Sequence, residues 1–183
     1  MGIRYDLDRN FNTYTDWRTN TNIYADENLF ETNKSTMVGE YPYTRHSLNY
    51  YYNGQIGDWN IDFNADGMWN VKEESMHTKE ITNTDTEMNV NTFNKNDGTL
   101  YAAKLIVSYP LWQGNLSFGN EYSHTNRTNI HINNEGILNN DDSRIKENST
   151  STFIDYTHSF GNVDMQAGIR YENVRFNYYE QGK

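Results

Sequence analysis

The chain has 183 residues, enough for one ordinary domain, with 35 % hydrophobic residues, 15 % aromatics and a formal charge of −10. That acidity, with a pI near 4.8, argues against nucleic acid or an anionic membrane surface as the main partner. The 15 tyrosines speak against simple disorder despite a mean hydropathy of −0.97, and the absence of cysteine removes disulfides and thiolate chemistry.

Met1-Gly2-Ile3-Arg4 leads straight into an alternating run with no secretory leader pattern, so an exported form is expected to have lost its leader or to be an excised piece. No run approaches the roughly 18 apolar residues of a membrane-spanning helix, which leaves membrane β-strands open. Ile3, Tyr5 and Leu7 alternate with Arg4, Asp6 and Asp8, which predicts a first strand. Residues 17–44 lose periodicity and read as a long loop. Alternation returns at His46–Asn53, with Leu48, Tyr50 and Tyr52 on one face, and Gly54–Gly57 reads as a turn.

Trp59–Val71 carries the clearest pattern. Trp59, Ile61, Phe63, Ala65, Gly67, Trp69 and Val71 share one face, against Asn60, Asp62, Asn64, Asp66, Met68 and Asn70. A helix would spread those polar groups around its circumference, so the period-two reading wins. At ~3.3 Å per residue the run exceeds about 35 Å, which suits a tilted strand crossing a bilayer and projecting beyond it. Residues 73–98 are polar and aperiodic and read as a second long loop. A strand over 100–109 follows, with Pro110 expected to end its pairing. Leu116, Phe118, Tyr122 and His124 share a face of the next strand, and residues 127–146 read as a third long loop. Glu147–Tyr178 closes the chain as a hairpin around Gly161-Asn162, two residues that tolerate the positive φ of tight turns. Its last strand sets Val163, Met165, Ala167, Ile169 and Tyr171 against Asp164, Gln166, Gly168, Arg170 and Glu172.

Connections thus alternate between about 20–28 residues and about two to five, as in transmembrane barrels with long loops at one rim and short turns at the other. Trp59, Trp112 and Phe160 all stand beside short turns, where an interfacial girdle would sit. The expected fold class is all-β: an antiparallel up-and-down meander of about seven or eight strands, part of a transmembrane barrel. The alternative in water is a small closed barrel or two-sheet sandwich with the apolar faces turned inward, because both arrangements need the same alternation.

Three stretches carry a family resemblance: RHSLNYYYNGQIGDWNIDFNADGMW, AAKLIVSYPLWQGNLSFGNEYSHTNRTN and ENSTSTFIDYTHSFGNVDMQAGIRYENVRFNYYEQG. They resemble pieces of the outer-membrane β-barrel region of TonB-dependent receptors, above all the barrels common in Bacteroidetes. The last stretch is the most specific, with Glu147, Asp155-Tyr156 and then Ala167-Gly168-Ile169-Arg170-Tyr171-Glu172. The resemblance covers about residues 45–178. It implies residence in the outer membrane of a Gram-negative bacterium, in contact with outer-membrane lipid, and import of a scarce nutrient such as a siderophore or glycan. It further implies an N-terminal plug and the energy-coupling partner TonB for the whole protein, in a barrel of about 22 strands. No plug or coupling box is recognisable here, so the chain is expected to be one segment of a larger barrel, residues 1–183 forming a single β domain. Open edge strands would let the isolated piece self-associate.

The rival from another class is a soluble periplasmic or secreted β-barrel binding module. No enzyme is expected, for no nucleophile-elbow or phosphate-loop pattern occurs. Asp62, Asp66 and Glu73 could suggest calcium or paired carboxylates, but Asp62 and Asp66 stand about 13 Å apart along one strand. His46, His77, His124, His131 and His158 lack zinc-like spacing, and no catalytic residue, metal or cofactor is assigned. Asp62, Asp66, Asp155, Arg170 and Glu172 are expected on a polar, lumen-facing wall, the last three as a cross-strand ion-pair network. Tyr24, Phe30, Tyr41 and Phe93 are the substrate-contact candidates, because loops on a rigid scaffold carry recognition.

Overall fold

In a computed structural model, residues 1–11, 13–83 and 86–180 are described. Nine strands occupy most of them: β1 (Gly2–Asn10), β2 (Tyr14–Ala25), β3 (Asn28–Glu40), β4 (Tyr43–Ile56), β5 (Trp59–Thr82), β6 (Glu87–Leu111), β7 (Gly114–Asn133), β8 (Asp141–Phe160) and β9 (Val163–Glu180). They form one antiparallel sheet ordered β1-β4-β5-β6-β7-β8-β9, with β2 paired to β3 and β3 to β5.

Two of the ladder positions are shared. β4 pairs with Trp59–Lys72 and β3 with Ser75–Thr82, so β3 and β4 lie end to end along the same edge of β5. Between them Pro42 has no N–H to donate, which breaks the strand, while its carbonyl accepts from the Glu73 N–H at 3.0 Å. β1 and β2 flank that broken strand in the same way. The sheet is therefore a meander of seven full-length strands, two of them interrupted.

The turns explain why the meander is sharp at one end. Gly57 and Gly161 have φ near +61° at the first turn position of β4–β5 and β8–β9, as expected for two-residue turns that open on glycine. Trp112 (φ 48°) and Gln113 (φ 64°) make the third turn at this end without any glycine. Asp26 and Glu27 do the same at the opposite end, between β2 and β3. Left-handed conformations cost non-glycine residues roughly 1–2 kcal/mol each, so neighbouring strands hold these turns in place.

The three expected long loops are corrected. Segment 17–44 is the β2–β3 hairpin and the start of β4. Segment 73–98 is the far half of the β5–β6 hairpin, paired without a register shift from Asn60↔Ser108 to Ile81↔Glu87. Segment 127–146 is paired strand except around residues 134–140. Apolar periodicity stops there because polar residues occupy both faces of these extensions. The ladder itself, with Thr-rich and Asn-rich cross-strand pairs and ion pairs such as Lys95–Glu73 (3.2 Å) and Lys79–Glu87 (2.8 Å), carries the strands onward. Pro110 does not end the pairing either: the β6–β7 register runs through Pro110↔Asn115 to Leu111↔Gly114.

Among the described residues no hydrophobic side chain is buried. The sheet is a single layer whose edges, β1 with β2 and β9, do not pair with each other. The small closed barrel and the sandwich are therefore not formed. A Gln113→Gly substitution should relieve the left-handed strain at the β6–β7 turn and stabilise the folded sheet by about 1 kcal/mol. Urea unfolding in lipid vesicles, followed by tryptophan fluorescence, measures this, and a destabilised variant would count against the strain.

Candidate functional site

The unbroken register sorts every side chain onto one of two faces, and the functional features follow from that sorting. On one face, cross-strand rows read Ile3–Tyr50–Ala65–Ala103–Tyr122 and Tyr52–Phe63–Leu105. Others read Ile61–Val107–Phe118–Ile154–Ile169 and Leu116–Tyr156–Ala167. These apolar rows form a continuous band. Its polar exceptions satisfy each other: Asn120 donates to Thr152 Oγ1 at 2.8 Å.

Aromatic rows bound the band at both heights. Beside the short turns stand Trp59 against Tyr109 (ring centroids 4.7 Å apart), Tyr156, and His158 against Phe160 (4.1 Å). Trp112 projects from its turn with 81 % of its surface exposed. At the other margin Trp69 Nε1 donates to the Tyr101 hydroxyl at 2.9 Å, and Tyr5 bonds His46 at 2.7 Å, with Tyr122 and His124 in the neighbouring positions. Trp59 and Trp69 are ten residues apart, ~33 Å along the strand. At a tilt of ~40° this is a height of about 25 Å, the thickness of an outer-membrane apolar band. Trp59, Trp112 and Phe160, expected at an interfacial girdle, all lie at the short-turn margin.

The opposite face carries the polar residues. Asn49 and Asn64 both donate to Asp66 at 2.7 Å, and Asn53 donates to Asp62 at 3.3 Å. The two carboxylates are thus held separately by carboxamides. Glu121 is the centre of the charged part. It accepts from Lys104 and from Arg170, each at 3.0 Å, and from Ser151 at 3.3 Å, and Arg170 also pairs with Glu172. The expected network of Asp155, Arg170 and Glu172 is therefore recomposed. Asp155 lies opposite Gly168, and no ion pair among the described residues reaches it. Glu121 and Lys104 take its place because they share a cross-strand row with Ser151 and Glu172. Sequence reasoning missed them because that row appears only once the register of β6, β7 and β8 is known.

The polar face is not wholly polar. The Phe153 ring folds over Gly119, where an added Cβ would stand 2.1 Å from it, and the Arg170 guanidinium lies 5.9 Å from the same ring. This aromatic cover over a glycine fixes the β7–β8 contact.

The four substrate-contact candidates are not brought together. Tyr24 and Phe30 are exposed at the β2–β3 hairpin tip. Tyr41 covers Gly39 at the β3–β4 junction, with Lys72 Nζ 6.0 Å from its ring. Phe93 lies opposite Ile132 on the face that continues the apolar band, away from the polar wall. All five histidines bond local oxygens, for example His77 to Asn91 at 2.7 Å and His131 to Asn94 at 2.6 Å. Among the described residues no group of three or more His, Asp or Glu side chains could hold a metal ion.

A sheet with one lipid-matched face between two aromatic belts and one hydrogen-bonded polar face is the wall of a transmembrane β-barrel. The chain belongs to the outer membrane protein beta-barrel family, whose model matches residues 57–183, and it resides in the outer membrane. No curated protein matches the chain closely enough to serve as a relative.

Gly119→Leu should push the Phe153 ring off the sheet and destabilise the protein by about 1–3 kcal/mol. Equilibrium unfolding in vesicles measures it, and an unchanged midpoint would show the ring contact to be dispensable. The polar extensions respond to pH instead. A hydrogen bond from Lys79 holds the Glu87 carboxyl below its ordinary range, and hydrogen bonds from Asn91 do the same for Glu135. Their contribution is full above the unfolded carboxylate pKa and is lost as the pH falls through the lower folded value. Amide protection, corrected for intrinsic exchange, should then drop on acidification in 79–83, 86–90 and 131–142 and persist in Trp59–Trp69. Uniform protection across that pH range would contradict this assignment.

Proposed function

We propose that this chain forms part of the barrel wall of a TonB-dependent outer-membrane receptor that imports a scarce nutrient such as a siderophore or glycan. One observation carries the reading: seven full-length strands carry a bilayer-high apolar band without their edges pairing with each other. A wall of that extent belongs to a barrel wider than one filled by its own side chains, with room for a plug and a passing solute. In this reading the polar face lines the lumen. The Asn-held Asp62 and Asp66 and the Glu121-centred ion pairs keep it rigid and wetted while a plug packs against it. The paired extensions beyond the band, with Tyr24, Phe30 and Tyr41, then stand where a solute first meets the receptor. No catalytic step is assigned to the wall in this reading. The absence of any buried hydrophobic side chain among the described residues weighs against a soluble binding module.

The test uses cells producing the complete protein and measures uptake of labelled ferric siderophores and oligosaccharides. Deleting the protein should abolish uptake of one of these solutes, and depleting TonB should abolish the same uptake. Uptake that survives TonB depletion would overturn the reading.

A further inference from the structure

Cations are distributed unevenly about the membrane band. No Lys or Arg occurs in 46–71, 105–126 or 147–169, so the short-turn margin of the band has none. At the other margin, on the lipid-facing side, three cations cluster where β8 meets β9. The register Asn148↔Arg175, Lys146↔Asn177 and Arg144↔Tyr179 puts Arg175 in the row of Tyr101 and His124, and Lys146 and Arg144 in the next two rows beyond it on that face. Arg175 and Lys146 are diagonal neighbours, whose backbones lie about 7–8 Å apart, and Lys146 and Arg144 are next neighbours along one face, roughly 7 Å apart.

The contacts of Arg144 and Lys146 among the described residues are to neutral groups. Arg144 Nε donates to Asn126 Oδ1 at 2.8 Å, and Lys146 Nζ stands 5.7 Å from the Tyr179 ring. No carboxylate among the described residues comes within ion-pair distance of Arg144, Lys146 or Arg175, whereas Lys95 and Lys79, on the same side of the band, pair with Glu73 and Glu87. Asp142 is the next residue along this face of β8 from Arg144, and Asp97 stands two strands away in the row of Arg144, but neither forms an ion pair with the cluster; Asp97 faces Lys95. Asn126, Asn148 and Asn177 add hydrogen-bond donors around the three cations.

We propose that Arg144, Lys146 and Arg175 form a binding site for the phosphate groups of a membrane lipid in the leaflet on the long-hairpin side. The occupant follows from continuity with the membrane face. The acyl chains of such a lipid would lie on the apolar band directly below, and its phosphates would sit just beyond the aromatic belt, where headgroups sit. Arginines supply planar two-donor contacts to phosphate oxygens and the lysine a movable point charge. The site rests on the membrane placement of the band and holds whether or not the barrel is a receptor.

The test uses the complete protein in phosphatidylcholine nanodiscs containing a trace of diphosphoryl glycolipid, and counts glycolipid molecules retained per protein. The triple variant R144Q/K146Q/R175Q should retain about tenfold less or lower, and R144K/R175K, which keeps the charge, should retain most of the binding. The dephosphorylated glycolipid should not distinguish the wild type from the triple variant, and free inorganic phosphate should not compete at millimolar levels. Heat-dependent electrophoretic mobility checks that each variant is folded. Equal retention of the diphosphoryl lipid by a folded triple variant would overturn the proposal. So would competition by free phosphate, which would make the site one for a soluble anion.

Discussion

The structure depends on an unbroken hydrogen-bond register along β5. Strand side chains alternate with period two, so a slip of one residue would carry every apolar group of a strand to the opposite face. From Asn60↔Ser108 to Ile81↔Glu87 no slip occurs, and β7 and β8 continue the same phase. That continuity converts separate alternating runs into one apolar band bordered at both ends by aromatic residues. Without it, the same residues would make patches too small and uneven to match a bilayer.

The same strands serve two solvents. Within the band, lipid contact on one face selects Leu, Ile, Val, Phe and Tyr. Beyond Trp69 and Tyr101 that selection ceases, yet the strands do not end. Inter-strand backbone bonds continue, supplemented by pairs such as His77–Asn91, Lys79–Glu87 and Lys95–Glu73. These contacts are exposed and individually weak, so the extensions are the least stable part of the sheet and the part most responsive to acid. The break at Tyr41-Pro42 divides the two regimes on one strand: β4 below it pairs with the banded half of β5, and β3 above it pairs with the polar half.

The polar face shows how a single layer is kept rigid without a core. Carboxamides hold Asp62 and Asp66, Glu121 joins cations from two other strands, and Phe153 covers Gly119. Each device links side chains across adjacent strands, which is where sheet stabilisation resides. In a receptor barrel such a wall offers fixed charges and donors to a plug or a passing solute. On the outer face, Arg144, Lys146 and Arg175, which form no ion pair among the described residues, would extend the membrane contact from acyl chains to headgroups.

Much of this was legible in the sequence. The alternation at Trp59–Val71 and Val163–Glu172, the Gly161-Asn162 turn and the aromatics beside the short turns are local features, because period two and turn φ are properties of one short segment. They were enough to assign strands and faces, while the choice of a membrane barrel over a small closed one rested on the family resemblance, because both need the same alternation. What only the tertiary structure decided depends on neighbours. Segments 17–44, 73–98 and 127–146 looked like loops because strand without a buried face leaves no hydrophobic period, and only their ladders reveal them. Glu121, not Asp155, anchors the ion pairs because partnership follows cross-strand rows rather than spacing along the chain. The basic cluster joins residues from two strands and becomes visible only when their register is known.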